Sequence, residues 1–434
     1  MFAAITLMAV AVANSASAQN SWSFVMLGDT RGDYNTATGV SPYLNIIAQK
    51  IAALNPQLVM MAGDLCNGNC LNTNSPLYPA GGDFTNAAAY SIYASEFANW
   101  KTAMQPIFDY STGTGIPIYT VRGNHENEDG EHAPISVLKQ AYYDAFSAYV
   151  PANGPSNSLA DDQRGFSWSF NHNNVTFVAA DQYFNYTNAS PDQLSGYHSL
   201  DRAWVTQQFQ QSTSPYKIFM AHEPIFQTEG NGPGEMVNEE AQHFFGTNTA
   251  GFLTLADFWN ALGTNGVQLY LTGHLHLETV ANTTNDYGNT IIQLTAGNGG
   301  APPQPFIDNP EPGVTTLYNN GNTLVISNGH ASVNGIFGFS LATVQDDFMT
   351  IQYYSLNTND NSWTVADFVT QIAGYGGPLG HRVSIDRNGT GVVINFIGKL
   401  QSADTILGPW TNVTNTSPYT VTATNSAKFY RAAE

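Results

Sequence analysis

The 434-residue chain has few charged side chains, and very few of these are basic. Lys and Arg number 13 against 33 Asp and Glu, which gives a formal net charge of −20 at pH 7. Nucleic acids and anionic lipid surfaces are bound through cationic side chains, so this balance argues against a protein that acts on either. Charged residues make up 11% of the chain. The surface must therefore consist largely of Asn, Thr, Ser, Gln and Gly.

Cysteine is nearly absent. The chain has two, Cys66 and Cys70, in the segment GDLCNGNC. In an exported protein such a pair favours a disulfide over two reduced thiols. A two-thiolate zinc site is less favoured, because no second pair of cysteines exists to complete it.

After residue 18 the chain has no long apolar run. The first 18 residues themselves predict a cleaved export signal. Met1 to Ala13 is apolar and uncharged, and Ala16-Ser17-Ala18 fits the small-x-small cleavage rule, which makes Gln19 the mature N-terminus. The basic segment that usually opens such a signal is missing. A membrane anchor is the alternative, but the run is shorter than the roughly 20 residues that a span needs. We expect a secreted or periplasmic protein without a transmembrane anchor.

Short apolar runs, each followed by a polar residue, recur along the chain. Such runs are typical of strands in a sheet covered on both faces, and ligands bind where these strands end. A helical pattern lies between the first two, over 42–54. The predicted strands are 22–27, 58–62, 116–121, 175–180, 217–221, 267–271, a strand and turn within 291–307, and a hairpin within 335–356, with long loops at 65–93 and 227–251.

The polar residues at these strand ends form a set suited to metal binding. They are two carboxylates, one amide oxygen and four imidazoles, which suit Zn, Mn or Fe. A carboxylate at the end of a central strand, Asp64, can bridge two ions about 3.5–4 Å apart. The set is Asp29, Asp64, Asn124, His125, His222, His274 and His276.

The motifs around these residues stand in a specific order: GDT, GD, GNHE (123–126), HEP (222–224) and GHLH (273–276). In this order the chain resembles the calcineurin-like metallophosphoesterase family over residues 20–356. The resemblance implies an α/β fold, a four-layer α/β/β/α metallophosphoesterase sandwich, and hydrolysis of phosphate esters by a metal-activated water.

The resemblance also implies a role for each residue. Asp64 would be shared between two divalent or mixed-valence ions, whose identity (Mn, Zn or Fe) is open. Asp29, Asp64 and His276 would hold the first ion, and Asp64, Asn124, His222 and His274 the second. His125 would lie near the leaving group as general acid or phosphate binder, oriented by Glu126.

One position departs from the family pattern. The first motif is usually Asp-x-His, but here it is Asp29-Thr30-Arg31, and Arg cannot bind a metal. Purple acid phosphatases lack the same His and use a Tyr three residues after the bridging Asp, where this chain has Asn67. Three alternatives follow: a weak first ion, with water or Asn67 filling the gap; an Arg31 that clamps a substrate phosphate, which we prefer; or an Asp33 that pairs with Arg31 or reaches the site.

The C-terminal part differs in character. After Gly374-Tyr375-Gly376-Gly377-Pro378, β-type runs alternate with Thr, Asn and Ser turns. This part resembles the small β-modules that end many exported proteins of environmental bacteria, and it is either a passive cap or a contact to glycans or the cell surface. The predicted organisation is a signal peptide (1–18), a metallophosphoesterase domain (20–372), a linker (373–380) and a small all-β module (381–434).

Three functions remain open from the sequence. A phosphomonoesterase acting on a small phosphorylated substrate is favoured. The alternatives are a phosphodiesterase acting on nucleotide or head-group diesters, and a non-catalytic phosphate or glycan binder with a degraded site.

Overall fold

The computed structural model describes most of the chain in two compact units, one of residues Ser21–Tyr375 and one that includes Gly376–Glu434. The described residues are 21–33, 36–68, 86–127, 136–156, 162–183, 200–224, 251–284, 290–303, 318–325, 337–345, 348–373, 383–388, 391–396, 399–403, 409–414, 419–422 and 429–433. The signal peptide predicted over 1–18 lies outside them.

Within the described residues, the first unit contains two large sheets, a two-stranded sheet formed by β3 and β4, and five helices. In chain order its elements are β1 (Trp22–Leu27), α1 (Leu44–Leu54), β2 (Leu58–Met61), α2 (Asn86–Ala103), β3 (Phe108–Asp109), β4 (Thr114–Gly115), β5 (Ile118–Thr120), α3 (Ser136–Phe146), β6 (Trp168–His172), β7 (Val175–Ala179), α4 (Arg202–Gln211), β8 (Tyr216–Met220), α5 (Gly251–Thr264), β9 (Leu269–Thr272), β10 (Glu278–Thr284), β11 (Thr290–Ala296), β12 (Tyr318–Val325), β13 (Phe337–Val344), β14 (Phe348–Asn357) and β15 (Ser362–Ala373). Short 3₁₀ turns span Asn124–Glu126 and Ser147–Tyr149.

Each large sheet has a parallel centre. The first sheet runs β15-β14-β13-β1-β2-β5, and the second runs β12-β10-β11-β9-β8-β7-β6. β1, β2 and β5 are parallel neighbours, as are β7, β8, β9 and β11. Because parallel strands end at the same edge, the polar residues that follow them are brought together.

Three apolar cores separate four layers. Helices α1 to α3 pack on the outer face of the first sheet, the two sheets pack face to face, and α4 and α5 cover the second sheet. β1 shows how one strand serves two cores: Val25 and Leu27 face the helices, whereas Phe24 and Met26 face the second sheet. The predicted four-layer α/β/β/α fold is confirmed.

The elements predicted around the motifs are present, with shifts of one to three residues at their ends. One prediction is wrong: the loop expected over 65–93 gives way to α2, which starts at Asn86. The Gly, Asn and Pro residues that suggested a loop precede this point, and Ala87 to Ala89 are strong helix formers. The loop predicted at 227–251 lies outside the described residues, apart from the first residue of α5.

The described part of the second unit contains two three-stranded sheets, and both are antiparallel. The first is formed by β16 (Val383–Asn388), β17 (Gly391–Phe396) and β20 (Tyr419–Thr422), and the second by β18 (Lys399–Ala403), β19 (Thr411–Thr414) and β21 (Phe429–Ala433). Among the described helices of the whole chain, none has both the length and the apolar character to cross a bilayer.

Candidate metal centre

Asp29 and Asp64 lie in matching turns at the ends of the parallel strands β1 and β2. Both adopt the left-handed backbone conformation, with φ of 54° and 52°. Backbone hydrogen bonds join the two turns, from Asp29 N to the Gly63 carbonyl at 3.0 Å and from Arg31 N to the Asp64 carbonyl at 3.1 Å. The two carboxylates and the Arg31 guanidinium are consequently buried side by side at the carboxyl edge of the first sheet.

One cluster of ligand atoms joins the two sheets. Asn124 follows β5 of the first sheet, and His222 and His274 follow β8 and β9 of the second. Nε2 of His222 lies 3.1 Å from Oδ1 of Asn124 and 3.3 Å from Oδ1 of Asp64. Nδ1 of His274 lies 3.2 Å from the same Asn124 oxygen. The structure thus brings together the four residues predicted for the second ion.

The hydrogen bonds of His222 show why this cluster fits a cation. Its Nδ1 lies 2.6 Å from the Ala62 carbonyl, and since a carbonyl only accepts, Nδ1 carries the proton. In the neutral ring Nε2 then presents a lone pair to the oxygens of Asn124 and Asp64, which are also acceptors. Three lone-pair atoms within about hydrogen-bond distance, with no proton to share, are stabilised by a metal ion placed between them.

A second cluster contains the residues predicted for the first ion. Ligand atoms of Asp29, Asp64 and His276 lie within 4.8 Å of one another. Within the described residues, Oδ1 of Asp29 is buried and accepts no hydrogen bond. The Arg31 guanidinium shares this cluster: its Nη2 lies 3.2 Å from Nε2 of His276 and its Nε 3.6 Å from Oδ2 of Asp64.

Burial and charge set the protonation of these groups. Burial, reinforced by the Asp64 charge, raises the pKa of Asp29 well above its ordinary value. Burial and the nearby Arg31 charge hold the pKa of His125 and of His276 well below the ordinary value. Both imidazoles are therefore neutral at pH 7, which is the form that can bind a metal or accept a proton.

His125 lies beside the centre, and its side chain is largely buried. Its Nδ1 lies 2.5 Å from the Asn67 carbonyl and must donate to it, so Nε2 carries the lone pair and lies 3.8 Å from Oδ2 of Asp64. The backbone N–H of His125 also donates to Oδ1 of Asp64 at 3.1 Å.

Glu126 does not hold His125 in the way the sequence predicts. Its carboxylate is buried and accepts backbone N–H groups from Asp64, Leu65, Cys66 and Gly123 at 2.7–3.2 Å. The Asn67 carbonyl orients His125 instead. Glu126 is thus a clamp that joins the Asp64 turn to the GNHE turn, and burial and the Asp64 charge raise its pKa to about 8.

The predicted disulfide between Cys66 and Cys70 is not formed. Cys66 is a free, buried thiol, and Cys70 lies outside the described residues. Sγ of Cys66 lies 3.9 Å from Oε1 of Glu126. Burial and the nearby carboxylates Glu96 and Glu126 raise the pKa of the thiol well above its ordinary value. Cys66 therefore packs beneath the metal-binding turn rather than across the loop that follows it.

Asn67 makes two contacts beside the centre. Its side-chain amide donates to the Asp33 carbonyl at 3.1 Å, and its own carbonyl binds His125. Three backbone carbonyls that sequence reasoning missed thus fix the imidazole rings: Ala62, Asn67 and Pro302. A backbone carbonyl is present at every residue, so the sequence does not mark these three. The Gly-rich turn 297–300 is the one sequence feature that indicates a close approach of the backbone near Pro302.

A model of the calcineurin-like phosphoesterase family matches residues 23–278 of the chain. No curated protein matches it. Among solved structures it is similar in fold to the purple acid phosphatase PPD1 from yellow lupin (Lupinus luteus) seeds, with a TM-score of 0.51 and 17% identity over 82% of this chain. The match spans 55% of the lupin chain.

Two further solved structures give lower scores. PhoD matches at a TM-score of 0.48 and 11% identity, over 92% of this chain and 72% of that one. GAP50, described as the anchor in the inner membrane complex of Plasmodium, matches at 0.45 and 13% identity, over 83% of this chain and 90% of that one.

Proposed function

The chain belongs to the calcineurin-like phosphoesterase family, and on this basis we propose that it hydrolyses phosphate esters with a bound metal, with a preference for monoesters. The observation that carries the proposal is the group of lone-pair atoms contributed by His222, Asn124 and Asp64, which lie 3.1–3.3 Å apart. A cation placed between these atoms would be bound by all three lone pairs. The residues that would hold the ion are these three and His274.

A divalent ion bound there would lower the pKa of a water molecule and polarise a phosphoryl oxygen. The chain itself orients the imidazole rings that act beside the ion. The Ala62 carbonyl fixes the His222 ring, and the Asn67 carbonyl fixes the His125 ring. Nε2 of His125 is the atom at which that ring takes up or gives a proton, and the His125 side chain is 11% exposed, so substrate can reach it.

The preference for monoesters is supported by charge. A phosphate monoester carries up to two negative charges and a diester carries one. The guanidinium of Arg31 lies at the same centre as the metal-binding carboxylates, so positive charge from the chain adds to that of the ion. This arrangement favours the more highly charged ester.

We also propose that the protein works outside the cytoplasm. The apolar residues 1–13 and the Ala16-Ser17-Ala18 site support export. Contact of the C-terminal module with glycans or the cell surface stays a prediction.

The function is tested by turnover of p-nitrophenyl phosphate and its bis ester after the chain is stripped with a chelator and reloaded separately with Zn, Mn and Fe. We expect the monoester to be hydrolysed faster, and Asn124→Ala to lower turnover by about 100-fold or more. Asn45→Ala is the matched control, because the Asn45 amide donates to the Ala103 carbonyl on the helical layer. Faster turnover of the bis ester would favour the diesterase, and no turnover of either ester by metal-loaded protein would overturn the proposal.

A further inference from the structure

Arg31 stands where an ion of the first cluster would need its nitrogen ligand. Nδ1 of His276 lies 2.8 Å from the Pro302 carbonyl. Because a carbonyl only accepts, this nitrogen carries the proton and Nε2 carries the lone pair. Nη2 of Arg31 lies 3.2 Å from that Nε2 and donates to it. The lone pair that would bind a metal is therefore already used by the chain.

The guanidinium also lies against the carboxylate that the two predicted ions would share. Nε of Arg31 is 3.6 Å from Oδ2 of Asp64, and the Arg31 side chain is 5% exposed. Its Nη1 donates to the Gly32 carbonyl at 3.2 Å. Both ends of the guanidinium are thus engaged at the site, and the planar group does not project into solvent.

The backbone holds Arg31 in this place. Its N–H donates to the Asp64 carbonyl, and the residue forms a bridge with Val40. The position of the side chain follows from the turn between β1 and α1, so it is a fixed feature of the centre.

The positive charge of Arg31 determines which of the two clusters can bind an ion. A guanidinium carries a fixed positive charge. Beside Asp29 and Asp64 it supplies positive charge that an ion would otherwise bring, and it would repel a divalent ion placed a few ångströms away. The cluster of Asp29, Asp64 and His276 therefore does not fit an ion while Arg31 is present, despite its converging ligand atoms.

We propose that the guanidinium of Arg31 takes the place of the first metal ion, so that the chain binds one ion, between Asp64, Asn124, His222 and His274. This refines the proposed metal-dependent function by setting the number of ions, and it replaces the predicted pair with one ion and one fixed cation. Asp64 then bridges a metal and a guanidinium rather than two metals.

The test is the number of ions bound per chain. The wild-type protein and its variants are stripped with a chelator, titrated with Mn or Zn and measured by elemental analysis after gel filtration. We expect one ion in the wild type and two in Arg31→His, in which an imidazole replaces the cation and adds a ligand. Arg164→His is the matched control, because Arg164 is exposed and pairs with Asp162, and it should bind one ion.

Electron paramagnetic resonance of the manganese-loaded proteins gives a second readout. The wild type should show the signal of an isolated ion, and Arg31→His that of an exchange-coupled pair. Arg31→Met removes the charge without adding a ligand, and it should bind a second ion more weakly than Arg31→His does. If Arg31→His does not fold, Arg31→Met still tests whether the Arg31 charge excludes a second ion.

Two tightly bound ions in the wild type would overturn the inference, as would variants that gain no second ion. Failure of the proposed function is distinguishable from failure of this inference. A wild type that binds one ion and hydrolyses no ester refutes the function alone, whereas a wild type that binds two ions and hydrolyses esters refutes the inference alone.

Discussion

A buried ion pair supports the turn that carries Asn124 and His125, and its removal gives the sharpest test of how the centre is held. Nε of Arg122 donates to Oδ2 of Asp181 at 2.7 Å, and Nη2 donates to the Tyr183 carbonyl at 3.0 Å. Both charged side chains are at most 1% exposed. Because Arg122 directly precedes the GNHE turn of the first sheet and Asp181 follows β7 of the second, the pair joins the two sheets beside the site.

Removal of one partner leaves a buried charge without its counter-ion. We expect Asp181→Ala and Arg122→Met each to lower the free energy of unfolding by about 3–5 kcal/mol. The double variant Arg122→Met/Asp181→Leu buries no charge, so its loss should be much smaller than the sum of the two single losses. If the double variant loses no more than one single variant does, the coupling free energy of this double-mutant cycle is at least about 3–5 kcal/mol.

The assay is urea unfolding of the full chain at equilibrium, combined with metal titration. Displacement of the turn should weaken metal binding in both single variants by about 10–100-fold. Asp162→Ala is the control, because it removes the partner of the exposed Arg164, and it should change neither quantity measurably. Single variants that each lose less than about 1 kcal/mol, or additive losses in the double variant, would refute the reasoning.

Three further outcomes follow from buried groups and tight turns. Burial raises the pKa of Glu96 to about 7. Between pH 4.5 and 7 the folded state therefore keeps a proton that the unfolded state has lost, and the free energy of unfolding falls by up to about 3 kcal/mol as pH rises. Glu96→Gln should remove this fall when urea unfolding at pH 5 is compared with urea unfolding at pH 8. Gly63 has φ of +90°, and an added Cβ would lie 2.6 Å from Nδ1 of His222 and 2.7 Å from the Gly123 nitrogen. Gly63→Ala should therefore weaken metal binding strongly. Gly113→Ala is the control: at φ +69° with no neighbour within 4 Å, it should lower the free energy of unfolding by only about 1–2 kcal/mol through backbone strain. Removal of the metal with a chelator should lower the midpoint of thermal unfolding, and an unchanged midpoint in calorimetry would show that the ion binds weakly or not at all.

The sequence predicts the positions of the candidate metal-binding residues well because the fold itself dictates them. A polar residue directly after a buried strand must lie at the edge of a sheet, and parallel strands bring such edges together. This pattern predicts Asp29, Asp64, Asn124, His222 and His274 at strand ends, and the structure brings all five to one place.

The sequence does not predict what the neighbours of a side chain are. The family resemblance implies that Glu126 orients His125, but the short 3₁₀ turn directs the Glu126 carboxylate inwards to four backbone N–H groups. A close pair of cysteines in an exported protein predicts a disulfide between Cys66 and Cys70. The spacing does not reveal that Cys66 belongs to the buried core beneath the site.

The backbone at the centre explains how these side chains are held before any ion binds. Asp29, Asp64 and His274 all have positive φ, between 52° and 69°, a conformation that costs about 1–2 kcal/mol for a residue other than glycine. Hydrogen bonds from each of the three backbone N–H groups offset this cost: to the Gly63 carbonyl, to Glu126, and to Oδ2 of Asp29 at 2.8 Å. The ligand-bearing turns are therefore fixed by contacts within the chain, and the strained conformations persist because the surrounding backbone bonds allow no other. Because these turns are already ordered, metal binding does not have to fold the site. The affinity for the metal therefore depends on the ligands and on the charge of Arg31.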